Sequence, residues 1–205
     1  EAGVFRLVTP RRFGGLEASP RTFVETVEML STANASAGWC CMIANTSALN
    51  AAYMAPEEAE AIFDDPHVIT GGVFAPMGRA VAEEGGYRVT GRWQWGSGSA
   101  NSVWLGGGCT VWENGEMRRL PSGAPETLMA VFPAAEAALL DTWHVMGLKG
   151  TGSGDFEVQD IFVPEGRCVR LAGGNPRETG PLYKFPAFGF LSLGVCAAAL
   201  GNARG

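Results

Sequence analysis

Near Val68 the spacing of apolar residues in this 205-residue chain changes, and that change limits the folds open to it. Before it, hydrophobic side chains recur every three or four residues; after it, they alternate. A period near 3.6 lays one apolar stripe along a helix, whereas a period of 2 gives a strand one apolar face. Ser19-Pro20 opens a first helix, with serine as the cap and proline where its missing N–H costs nothing. Phe23, Val27 and Leu30 carry its stripe to about Thr32. A second helix is expected from about Ser36 to Met54 on Trp39, Met42, Ile43, Thr46, Leu49 and Tyr53. Its other positions hold almost no charge, which predicts that neighbouring elements enclose it. Pro56 begins a third, "PEEAEAIFDD", acidic in the first turn where the helix dipole favours carboxylates.

The alternating part starts with "VITGGVF" and continues through the hairpin "AVAEEGGYRVTG", turning at Gly85-Gly86. "RWQWGSG", "SVWLGGGCTVW", "ETLMAVFP" and "GDFEVQDIFVP" follow, and the strands end near Pro164. Asn175 to Pro181 reads as loop. Phe185 to Ala203 is uncharged and about long enough to span a bilayer. Its abundance of Ala, Gly and Ser instead predicts a helix buried on most sides, as in a bundle interior. Helices, then antiparallel strands, then a helix describe an α+β chain rather than alternating βαβ units. The expected parts are an N-terminal helical segment (1–66), a central antiparallel β domain of barrel or sandwich form (67–170), and a linker with the first helix of a truncated C-terminal helical bundle (171–205).

Charge and composition exclude several functions. A net charge of −6 without any Lys/Arg run argues against nucleic acid. Five cysteines with no C-x-x-C pattern suit a reducing, cytoplasmic setting and no zinc site, and a count of two histidines argues against a His-based metal site. The opening "EAGVFRLVTP" has no basic stretch ahead of an apolar one, so no secretory signal is expected, and the composition of Phe185 to Ala203 predicts no membrane partner. "GLKGTGSGD" lacks the Walker A spacing and precedes a strand, not a helix, so it is either a plain glycine-rich turn or a loop lining a ligand. "GSGSA" lacks the nucleophile-elbow spacing, and Cys40-Cys41 inside an apolar helix read as small buried hydrophobes.

What remains is "GRWQWGSGSANSVWLGGG", residues 91 to 108. Two readings stay open. The tryptophans can fill the core of a twisted hairpin. Alternatively, Trp93 and Trp95, two apart and so on one face of a strand, can wall a shallow recess above Gly96-Ser97-Gly98. A planar heteroaromatic ring would fit such a recess, with the Ser97 hydroxyl at its polar edge.

Together with "FAPMGRA" (74–80), "DTWHVMGLKGTGSGDFEVQDIFVP" (141–164) and the helical "RRFGGLEASPRTFVETVEMLSTANASAGW" (11–39), this block resembles the acyl-CoA dehydrogenase superfamily of flavoenzymes. The resemblance covers nearly the whole chain. It implies a helical domain, a β domain and a C-terminal four-helix bundle, assembled as homotetramers. It also implies that Gln94 to Ser97 fill the family's tryptophan-containing flavin segment. Trp95 would lie against the isoalloxazine of FAD or FMN and Gly96 beside it, while Ser97 would accept or donate a hydrogen bond at N5. Val73, Phe74 and Ala75 would line the ring from the preceding strand, and Trp39 from the second helix.

Phe74-Ala75-Pro76 stands where the dehydrogenases usually read Thr-Glu-Pro. That segment, with "GWCCMIANTS", is more similar to the flavin-dependent monooxygenase branch, the two-component hydroxylases and dibenzothiophene monooxygenase. Ser47 stands where several of those hydroxylases carry a substrate-facing histidine. The implied activity is monooxygenation of a small organic substrate with reduced flavin from a separate reductase. An acyl-CoA dehydrogenase, and a flavin-free paralogue or fragment with an assembly role, are the alternatives. The catalytic base is expected in helices beyond this sequence.

Overall fold

The computed structural model describes residues 3–171 and 173–205. Helix α1 (Pro20–Ala33) begins as its sequence demands: the Ser19 hydroxyl accepts from the Thr22 N–H at 3.1 Å. Asn34 ends that helix and caps the next, α2 (Ala35–Ala48), by accepting from the Ala37 N–H at 3.0 Å. The second helix is thus shorter than its apolar spacing predicts, because residues Leu49–Ala52 tighten into a 3-10 turn. Helix α3 spans Pro56–Phe63.

The strands are β1 (Thr70–Glu83), β2 (Gly86–Trp93), β3 (Trp104–Glu113), β4 (Glu116–Met117), β5 (Thr127–Pro133), β6 (Ala138–Leu140), β7 (Asp155–Pro164) and β8 (Cys168–Val169). The last helix, α4, runs over Ala187–Arg204. The sheet order is β6-β7-β2-β1-β3-β5-β8, with β4 on β3. One expectation needs correction. The sheet is mixed, because β1 and β3 pair in parallel, with Thr70 opposite Trp104 and Val81 opposite Trp112. The physical reason is a crossing: after Trp93 the chain passes from the β2 side of β1 to its other side, and residues 94–103 make that passage. The crossing segment, not a hairpin, therefore sits at the end of the sheet. A second irregularity lies beside it. Between Val73 and Gly78 the β1–β3 register slips, and Ala75, Pro76 and Met77 bulge out of the ladder, exposed.

Trp93, Leu105, Val111, Phe132, Phe156 and Val163 share one fully buried core. Phe132 of β5 and Phe156 of β7 approach to 6.4 Å between ring centroids although three strands separate them in the sheet order, so the sheet curls around this core. Trp93 stacks on Phe156 at 5.2 Å and donates its indole N–H to the Gly108 carbonyl at 2.7 Å. Glycine is required around it: a Cβ on Gly107 or Gly78 would collide with the indole. That accounts for the glycines that accompany this tryptophan.

The helices form a second core in which Phe23 of α1 stacks on Phe190 of α4 at 4.6 Å. A third, including Ala48, Ile62, Met129 and Val169, fastens the α2 end and α3 to the outer face of β5 and β8. Helix α4 differs from its expected enclosure. Phe190, Gly194, Ala197 and Gly201 face α1 and α2, but Phe188, Val195 and Leu200 remain exposed. By length and composition alone this helix is apolar enough to cross a membrane, with 33% of it buried here.

Candidate functional site

The crossing segment and the 147–154 loop meet at the end of the sheet, against the N-terminal half of α2. Two backbone bonds join them: Gly96 N–H to the Gly154 carbonyl at 2.9 Å, and Gly98 N–H to the Thr151 carbonyl at 2.8 Å. At the far end of the loop, buried Asp155 holds the start of β7 in place. It receives the Thr142 hydroxyl at 2.9 Å and pairs with Arg92 at 2.8 Å.

Between the two segments lies a chain of hydroxyls. The Trp39 indole N–H donates to the Ser97 hydroxyl at 2.9 Å. Ser97 and Ser153 are 2.7 Å apart, Ser153 and Thr151 are 2.6 Å apart, and the Thr151 hydroxyl donates to the Leu148 carbonyl at 2.8 Å. Ser97, Thr151 and Ser153 are all buried. Burial makes the connected chain worth more than its members alone, since water cannot replace a lost partner.

Two bulky residues at this site hold left-handed backbone: Trp95 with φ 62° and Leu148 with φ 53°. Such a conformation costs about 1–3 kcal/mol for a residue with a large side chain. At Trp95 it has a visible consequence. The strand ends at Trp93, the backbone turns, and the Trp95 side chain is left 65% exposed while Trp93 is fully buried. The expected pair of indoles on one face is therefore corrected. Alternation holds only while the chain stays in the ladder, and the chain leaves it between them.

The structure brings Trp39 and Ser97 into contact and places Gly96 and Trp95 immediately beside them. Val73 and Phe74 are half-buried and Ala75 is exposed at the β1 bulge; Phe74 leans on the third core. Ser47 lies on the same face of α2 as Cys40, Ile43 and Ala44, but is itself buried. A cavity of about 180 Å³ is lined by Cys40, Ile43, Thr70, Ser97, Gly98 and Ser102. A second, of about 480 Å³, lies between α2, the loop and α4, lined by Ser36, Trp39, Leu148, Val195 and Asn202 among others. The Trp39–Ser97 bond joins the walls of the two.

Burial pushes the Cys40 thiol up, and pushes that of Cys41 up to about 11, so neither is poised as a thiolate nucleophile. Among the described residues no group of His, Cys, Asp and Glu could hold a metal ion. What lies between the two partly apolar cavities is a buried hydroxyl with a spare lone pair; Trp95 and the β1 bulge line neither cavity. Sequence reading missed Thr151, Ser153 and the Leu148 carbonyl. The signal was present in the glycine-spaced hydroxyls of "GTGSG", which match those of "GSGS" at 96–99.

No family model matches the chain. It is similar to the indole-3-acetate monooxygenase of Pseudomonas putida, 36% identical over 98% of this chain and 50% of that protein. It is also similar to the flavin-dependent monooxygenase oxygenase subunit HsaA of Mycobacterium tuberculosis, 32% identical over 100% of this chain and 52% of that one. The crystal structure of the HsaA monooxygenase superposes with a TM-score of 0.89, at 31% identity over 99% of this chain and 54% of that chain. XiaF from Streptomyces sp., solved in complex with FADH2 and glycerol, superposes with a TM-score of 0.84 at 30% identity over 97% and 50%. The α+β fold is that of these monooxygenase structures, and the chain spans about half the length of the curated relatives it matches.

Proposed function

We propose that this chain is part of the oxygenase component of a two-component flavin-dependent monooxygenase. In this reading it takes reduced FAD or FMN from a separate flavin reductase and hydroxylates a small organic molecule. The observation that carries the reading is the meeting of the Trp39 N–H and the Ser97 hydroxyl, 2.9 Å apart, joined to the 147–154 loop and two residues along the chain from the exposed Trp95. The names of the relatives and the FADH2 bound to XiaF support it.

When bound, reduced flavin supplies two electrons, so that one atom of dioxygen enters the substrate and the other leaves as water. The protein's part is to bind, orient and keep dry. Trp95 would offer the ring an exposed indole face, turned out of the sheet core by its left-handed backbone. Ser97 offers the ring edge a hydrogen-bonding oxygen whose position is set from two sides, by Trp39 and Ser153. Ile43 and Val195 make the walls of the neighbouring cavities partly apolar, which limits water near the reacting edge. The substrate would enter one of these two cavities.

Anaerobic titration of the intact protein with reduced FAD and FMN, followed by tryptophan fluorescence, tests the reading. Saturable quenching at micromolar flavin is expected. No response to either flavin, oxidised or reduced, removes the proposal.

A further inference from the structure

The hydroxyl chain has a direction, and the direction can be assigned from its two ends. A carbonyl oxygen only accepts, so the bond at Leu148 commits the Thr151 proton outward. Thr151 can then only accept from Ser153, at 2.6 Å, which commits the Ser153 proton. Ser153 in turn can only accept from Ser97, at 2.7 Å. At the other end an indole N–H only donates, so Ser97 accepts from Trp39 at 2.9 Å. All four bonds coexist in one arrangement alone: Trp39 to Ser97 to Ser153 to Thr151 to the Leu148 carbonyl. Ser97 has spent its one proton and one of its two lone pairs. Its remaining lone pair can receive a hydrogen bond, but it has no proton left to give.

We propose that Thr151 and Ser153 are positioning residues that make Ser97 an acceptor and so select the redox state of the flavin. The inference rests on the flavin reading above and deepens it. N5 of reduced flavin carries a hydrogen and donates; N5 of oxidised flavin has only a lone pair and accepts. An acceptor-only hydroxyl at that edge bonds the first and faces the second lone pair to lone pair. Oxidised flavin can bond Ser97 only if the chain gives up one of its three hydroxyl bonds, between Ser97 and Ser153, between Ser153 and Thr151, or at the Leu148 carbonyl. The site thereby holds the incoming reduced flavin and loosens its grip once the ring is oxidised.

The test is the ratio of affinities for oxidised and reduced flavin, measured on the intact protein without turnover. Wild type is expected to bind reduced flavin at least ~10-fold more tightly, the scale of one hydrogen bond made against one denied. Ser153→Ala frees the Ser97 proton, and Thr151→Val removes the outlet for that of Ser153. In both, affinity for oxidised flavin should rise ~5- to 10-fold while that for reduced flavin changes less than ~2-fold. Thr151→Ser, which keeps the hydroxyl, should restore the wild-type ratio.

A ratio unchanged in either Ser153→Ala or Thr151→Val, in a variant that folds, overturns the selection role and leaves flavin binding standing. Equal loss of affinity for both redox states in those variants also overturns it, because it reports damage to the loop rather than redirection of a proton. If wild type binds flavin in neither state, the inference falls together with the reading beneath it. Circular dichroism on each variant separates misfolding from altered selection, and either of the two substitutions alone suffices for the decision.

Discussion

The sheet core around Trp93 and the rim around Ser97 are made from the same small vocabulary of glycine, hydroxyl residues and tryptophan. They use it in opposite ways. In the core, glycines make room for an indole, and the one polar atom of that side chain is satisfied by the Gly108 carbonyl across β3. At the rim, two glycine-rich loops bond through their backbones, and the hydroxyls between them are satisfied in series from Trp39 to Leu148. The core tolerates no extra atom; the rim keeps one lone pair open. A tryptophan two residues from another is structural in one case and presented to solvent in the other. Burial of polar groups is a local matter in the core and a cooperative one at the rim.

The largest expected effect tests the core. Trp93→Ala should cost about 3–5 kcal/mol of stability by cavity formation, read from the denaturant midpoint. A loss no greater than that of Ser97→Ala would erase the contrast between the two regions. Gly107→Ala comes next, at about 1–3 kcal/mol, because the added methyl would run into the Trp93 ring first.

Alkaline pH gives a third comparison. Burial pushes the Cys109 thiol in the sheet core from its ordinary 9.0 up to about 12, and Cys41 in α2 up to about 11. Both folded values lie above the unfolded ones, so the unfolded chain loses these protons first. Stability is then complete below pH 9 and declines as pH rises from 9 through the folded values. The decline should approach about 1.4 kcal/mol per thiol for each pH unit above 9. Cys109→Ala should flatten the profile between pH 9 and 11, and an unchanged slope would remove Cys109 as a source. The rim hydroxyls do not titrate there and should contribute nothing to the slope.

The smallest stability effect is expected at Trp95. Trp95→Gly relieves a left-handed backbone and should leave the melting temperature unchanged or raise stability by about 1 kcal/mol. It should also weaken reduced-flavin binding several-fold. Loss of stability comparable to that of Trp93→Ala would place the Trp95 side chain in the core after all.

Much of the architecture was legible because it depends on neighbours in the chain. The cap at Ser19, the hairpin turn at Gly85-Gly86 and the change of period near Val68 are short-range facts that the backbone obeys locally. They determined the α+β order of elements. Other outcomes required the chain to meet itself. The point at which β2 releases Trp95, and the parallel pairing of β1 with β3, depend on which strand lies across the ladder.

The same holds for the site. Ser97 meets Trp39 from 58 residues away and Ser153 from 56, and the chain of bonds is oriented by a backbone carbonyl, which every residue type carries alike. The residue sequence determined which side chains could donate and accept. Tertiary contact decided that the Ser97 proton points to Ser153, because hydrogen-bond direction is set by the ends of a network and those ends come from separate parts of the chain.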